Sequence, residues 1–161
     1  MKNKFLALLA AFMFCSVISY GQSYNSAIGA RLGYPLSLSY KKFISDRAAV
    51  EGILGFKSYT GYSWINVGGL YEIHNELPSI DGLSWYYGAG ASIYLWSYDN
   101  DFIDAGSSTS IGISGVIGLD YRFADIPLNI SIDWIPTFFV NGYGNGFGSE
   151  YGGIGVRYIL N

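Results

Sequence analysis

The chain has 161 residues, a length that suits one domain. Charged residues make up 13% of it, about half the share of a soluble domain, while aromatics reach 18% and 22 residues are Gly. Nine basic residues against twelve acidic ones give a net charge of −3, which excludes a nucleic-acid binder working through a basic patch; low charge with abundant Gly and Tyr suits a sheet with one face on lipid and the other cramped.

The first element predicted is an export signal. Lys2 and Lys4 form a positive start, Phe5 to Ile18 is uncharged and mainly apolar, and Ser19-Tyr20-Gly21 offers small residues where a signal peptidase reads. Residues 1–21 are therefore expected to be a signal peptide cut before Gln22. The run is short for a spanning helix, which needs roughly 20 apolar residues. Cys15 lies inside this segment behind bulky Phe12-Met13-Phe14, unlike a lipid-attachment cysteine. Residues 22–161 then contain no Cys, and neither disulfides nor thiol chemistry are expected.

From there the chain alternates with period two, the signature of strands. Eight are predicted, at about 24–33, 36–44, 48–58, 64–74, 83–97, 109–123, 128–138 and 151–160. In 83–96, Leu83, Trp85, Tyr87, Ala89, Ala91, Ile93 and Leu95 share one face, and small, polar or aromatic residues share the other. The same split recurs in 111–123, 128–135 and 153–160. An even number of antiparallel strands lets the first pair with the last, leaving no open edge in lipid. The fold class expected is all-β: a closed eight-stranded antiparallel transmembrane barrel.

With the N-terminus periplasmic, inner turns fall near 45–47, 74–82 and 124–127, and outer loops near 34–35, 58–63, 98–108 and 140–150. The longest outer loops are the third and fourth, in line with the usual asymmetry of such barrels. Trp85, Tyr87, Tyr121, Phe123 and Tyr158 are expected to face outward near the periplasmic rim, where rings suit the membrane interface. Pro136 removes a ladder donor, so pairing in the seventh strand should be irregular there.

Two segment sets carry a resemblance. The first is Gly29-Ala30-Arg31-Leu32-Gly33-Tyr34-Pro35-Leu36 running into Ser39-Tyr40-Lys41-Lys42-Phe43, with Glu51-Gly52-Ile53-Leu54-Gly55-Phe56. The second is Gly118-Leu119-Asp120-Tyr121-Arg122-Phe123, Ile126-Pro127-Leu128-Asn129, Asp133-Trp134-Ile135-Pro136 and Gly155-Val156-Arg157-Tyr158. Through them the chain resembles the small outer-membrane β-barrel proteins of Bacteroidota, within the OmpA/OmpX-like class of eight-stranded barrels. The resemblance implies the bacterial cell outer membrane as location, and outer-membrane lipid, lipopolysaccharide and, during insertion, the barrel-assembly machinery as partners. It implies no activity. It also implies a terminal aromatic residue, whereas the chain ends Tyr158-Ile159-Leu160-Asn161.

The alternation points the in-strand charges inward: Arg31, Lys41, Glu51, Glu72, Asp120, Arg122, Asp133 and Arg157. An eight-stranded barrel is just wide enough for side chains to fill, so this balanced set is expected to plug the periplasmic half as a structural network, with Asp133 and Arg157 paired from neighbouring strands at similar depth. Trp64, Tyr94 and Trp96, with Asn66 and Ser114, line the upper lumen; they either fill it or form a shallow outer-mouth cup for a ligand.

Catalytic chemistry is sparse. His74, the single histidine, falls at the periplasmic end, away from where outer-membrane enzymes acting on lipid A or phospholipids place Ser and His, and no Ser neighbour is identifiable. Asp99, Asp101 and Asp104 lack the Gly and closing Glu of an EF-hand loop and read as a solvated acidic loop. The Gly-rich run 141–148 lacks the following Lys-Ser or Lys-Thr of a phosphate loop and reads as an outer loop. No catalytic residue, metal or cofactor is expected. The reading is a monomeric structural or surface-interaction protein. A small channel or ligand carrier, a lipid-modifying enzyme and a soluble secreted barrel are the alternatives.

Overall fold

A computed structural model describes residues 24–98, 108–141 and 146–160. The expected signal segment lies outside them, as do Asp99, Asp101 and Asp104. Among the described residues ten strands are present: β1 (Ser26–Tyr34), β2 (Leu36–Phe43), β3 (Ala48–Tyr59), β4 (Tyr62–Glu76), β5 (Leu83–Tyr98), β6 (Ser108–Arg122), β7 (Leu128–Trp134), β8 (Thr137–Phe139), β9 (Gly146–Gly148) and β10 (Gly152–Leu160). Neighbours pair antiparallel in the order β5-β4-β3-β2-β1-β10-β7-β6, and β5 pairs with β6, so the sheet closes into an eight-stranded barrel. No helix among the described residues is long and apolar enough to cross a membrane.

The extra strands come from one interruption. Ile135-Pro136 divides the seventh barrel strand into β7 and β8, yet its register against β6 is unbroken: Ile117 faces Trp134 and Ser114 faces Thr137. Gly115 N donates to Pro136 O at 2.9 Å across the gap. Proline has no N–H to return to Gly115 O, so the ladder to β6 loses one bond there, while the slip in residue count falls on the other side. There Gly148 faces Thr137 and Gly152 faces Trp134, so Ser149-Glu150-Tyr151 oppose only Ile135-Pro136. Across that bulge of one residue the parity switches, so Gly148 faces inward as Tyr151 does, and Tyr151 keeps the inward face of Gly155 and Arg157. Residues 146–148, expected to be outer loop, are instead strand β9.

Successive strand residues face opposite sides, and in a closed barrel those sides are lumen and surroundings. Leu36, Leu38 and Tyr40 of β2 are exposed, while Ser37, Ser39, Lys41 and Phe43 between them are buried. Every strand from β2 to β7 repeats the pattern over most of its length, with large apolar residues outside and polar or aromatic ones inside. The core is therefore the filled lumen. At the end carrying turns 44–47, 77–82 and 123–127, here called lower, Tyr24, Ala27, Phe43, Ala49 and Ile159 form an apolar floor. At the upper end Trp64, Tyr94, Phe139 and Tyr151 form an aromatic lid, with Tyr34, Tyr62, Trp96 and Ile135 packed against it. The charges lie between.

Candidate functional site: the sealed ionic lumen

Strand pairing brings the charges together by leaving room beside each. Gly29 stands opposite both Arg157 and Ser39, Gly155 opposite Arg31, Gly118 opposite Asp133, and Gly88 opposite Glu72. A narrow barrel accommodates a long inward side chain where its cross-strand neighbour is small. Lys41 and Glu51 are direct partners on β2 and β3.

Glu51 is the hub. Its Oε1 accepts from Arg157 Nη2 at 2.5 Å, Arg31 Nη1 at 3.1 Å and Ser39 Oγ at 2.5 Å. Arg157 also donates from Nε to Ser39 Oγ at 2.7 Å, and from Nη1 to Ser131 Oγ at 2.8 Å and Asn129 Oδ1 at 3.3 Å. Arg31 Nη2 donates to Asp133 Oδ1, and Tyr86 donates its hydroxyl to Asp133 Oδ2 at 2.6 Å. Lys41 Nζ lies 2.7 Å from Glu72 Oε2, 3.3 Å from Glu51 Oε2 and 3.6 Å from Asp120 Oδ1. These are ion-pair contacts without the angles of hydrogen bonds. The ammonium also sits 4.3 Å from the centre of the Tyr86 ring. Asn129 Nδ2 donates to Asp120 Oδ2 at 2.6 Å. Just ahead of β1, burial holds the Tyr24 phenol well above its ordinary range, with Asp120 adding to the effect.

Seven of the eight charges singled out in the sequence are thus buried in one network. The eighth, Arg122, ends β6 opposite Asn129 and is half-buried at the lower rim. The expected Asp133–Arg157 pair does not form. Asp133 stands opposite Gly153, and Arg157 stands four residues further down β10, opposite Asn129. At about 3.3 Å per residue the two are a substantial distance apart along the strand. Arg157 reaches across the lumen to Glu51 instead, leaving Asp133 to Arg31 and Tyr86. Ser39, Tyr86, Asn129 and Ser131 complete the network and were not singled out. Their inward parity was readable, but neutral polar side chains on a barrel's inner face carry no signal of their own.

The upper group is filled. Trp64 and Tyr94 are buried and Trp96 is half-buried, its Nε1 donating to Ser110 Oγ at 3.0 Å. Tyr94 packs edge-on against Phe139 at 5.0 Å and Tyr151 at 5.9 Å. Phe139 and the inward-facing Tyr151 occupy the space that a cup for a ligand requires, so that reading is corrected. Between lid and charges, a cavity of about 30 Å³ remains, lined in part by Arg31, Ser37, Asn66, Ser114 and Thr137; that is the volume of about one water.

His74 does have a serine neighbour. Its Nε2 donates to Glu72 Oε2 at 2.9 Å, and Nδ1 lies 3.4 Å from Ser84 Oγ. The order matches a nucleophile, base and acid, but the surroundings do not suit catalysis. The imidazole is buried, stacked on Tyr86 at 4.7 Å and covered edge-on by Phe43 at 4.8 Å. Glu72 is also held by Lys41, and Ser84 Oγ contacts Asp120 O at 3.4 Å. The contacts clamp the ring and leave no face of it for a substrate. Among the described residues no cluster of His, Cys, Asp and Glu is arranged to hold a metal.

No protein-family model matches the chain, and no curated protein matches it in sequence. Among solved structures it is similar to the crystal structure of Neisserial surface protein A (NspA), with a TM-score of 0.59 and 18% identity over 84% of this chain and 93% of that one. At that identity the likeness is one of fold: the chain shares the closed, eight-stranded antiparallel barrel of that protein.

Proposed function

We propose that this chain is an integral protein of a bacterial outer membrane, of the Bacteroidota type, with a structural or surface-interaction role exerted through its outer loops. One observation carries the reading. The outward face is an almost continuous apolar belt, with Leu38 61%, Ile113 57%, Ile132 56% and Phe138 55% exposed, while the charges lie inside. A soluble protein rarely leaves an apolar surface of that extent in water, whereas a membrane barrel requires it. Trp85 and Tyr87 stack at 5.4 Å on the outside of the lower end, and Tyr158 is exposed there, as an interfacial girdle requires. The barrel it resembles belongs to a surface protein.

In this reading residues 1–21 direct export, the assembly machinery inserts a monomeric barrel, and outer-membrane lipid and lipopolysaccharide surround it. The floor, ionic network and lid block the lumen in series, which disfavours a channel. The clamped His74 disfavours a lipid-modifying enzyme. Cell fractionation with gel electrophoresis of unheated and boiled samples tests the placement. The protein is expected in the outer-membrane fraction with a heat-dependent shift in mobility. Recovery as a soluble species with no shift contradicts it.

A further inference from the structure

In the middle of the ionic network two acids meet. Glu51 Oε2 and Glu72 Oε2 flank one ammonium, Lys41 Nζ, at 3.3 Å and 2.7 Å. Both side chains are fully buried, and Glu51 Oε2 and Glu72 Oε1 have no hydrogen-bond donor. Two ionised carboxylates on one buried ammonium repel each other, and the network sets four buried acids, Glu51, Glu72, Asp120 and Asp133, against three buried cations, Arg31, Lys41 and Arg157. We propose that Glu51 and Glu72 together bind one proton, making the pair a proton-binding site sealed inside the barrel.

The neighbours decide which acid carries it. Glu51 Oε1 already accepts from Arg31, Arg157 and Ser39, so Glu51 is the ionised member. Glu72 has Lys41 at 2.7 Å and the His74 ring N–H at 2.9 Å, both on Oε2. Its Oε1 has no donor and is free to carry the hydrogen. His74 then stays neutral, donating from Nε2, with Nδ1 3.4 Å from Ser84 Oγ. The remaining charged or ionisable groups packed around the pair are Asp120 on β6, Tyr86 on β5 and Tyr24, with Asp133 on β7 behind Arg31. The floor of Tyr24, Ala27, Phe43, Ala49 and Ile159 separates the pair from solvent below.

Infrared spectroscopy of the folded barrel in detergent micelles at neutral pH tests this on the unmodified chain. One carboxylic-acid carbonyl band is expected, absent from the unfolded chain and from Glu72→Gln. Absence of the band from the folded protein overturns the proposal, and so does its persistence in folded Glu72→Gln. Unfolding supplies a second readout. A folded state holding one proton more than the unfolded chain loses stability as pH rises. The wild-type denaturant midpoint should therefore fall from neutral to alkaline pH. Glu72→Gln, whose amide donates permanently, should lack that part of the fall. Identical slopes in the two proteins overturn the proposal. If Glu72→Gln does not fold, the wild-type band alone decides.

Discussion

Replacing Glu51 with leucine is expected to destabilise the folded barrel by about 3–5 kcal/mol, the cost of removing one partner from a buried ion pair. The physical cause is the asymmetry of the network. Glu51 accepts from Arg31 and Arg157 and stands 3.3 Å from Lys41. Leucine leaves three buried cations short of an anion, and none can reach water through the floor or the lid. Denaturant unfolding in micelles measures the loss. Adding Arg157→Leu to Glu51→Leu should recover part of it, because one of the stranded cations is then gone. A Glu51→Leu midpoint equal to that of the wild type contradicts the network as the lumen's main polar support.

The second large effect concerns closure. A Cβ added to Gly29 meets Val156 O at 2.0 Å and the Arg157 Cα at 2.6 Å, both backbone atoms of β10. The clash lies on the seam where the first strand meets the last, which no side-chain rotation relieves. A Cβ added to Gly33 or Gly153 on the same seam would likewise collide with a facing carbonyl, that of Gly152 or Leu32. Gly29→Ala is therefore expected to cost about 3 kcal/mol or more, the upper end for overpacking, and to weaken the heat-resistant folded form seen on gels. Gly69→Ala is the matched control: its Cβ points outward and meets nothing within 4 Å. Equal stability of the two variants contradicts the seam geometry.

The comparison between chain and structure is uneven for physical reasons. Strand faces were legible because each strand separates two unlike environments, and Leu83–Leu95 shows it plainly. The inward direction of Arg31, Lys41, Glu51 and Glu72 follows from the same parity. Depth was not legible. Which residues sit at one level depends on the register of every pair around the barrel, so the Asp133–Arg157 match failed although both residues point inward. The aromatic lid was half-legible. Trp64, Tyr94 and Tyr151 follow strand parity, Tyr151 sharing the face of Gly155 and Arg157, but Phe139 lies beyond the break at Ile135-Pro136. Pro136 announced the irregularity without saying which neighbouring strand would absorb it. Strand β9 was hidden because Gly146, Phe147 and Gly148 have the composition of a loop.

These features make one account: an apolar exterior around a sealed polar interior. Its central claim is that the outer face lies in lipid. Trp134 is on that face and 47% exposed, whereas Trp64 points inward and is 1% exposed. Single-tryptophan variants retaining one or the other, reconstituted in bilayers of bromine-labelled lipid, test the claim directly. The account predicts strong quenching of Trp134 by the lipid and little of Trp64. A Trp134 that escapes lipid quenching but is quenched by a water-soluble agent contradicts it.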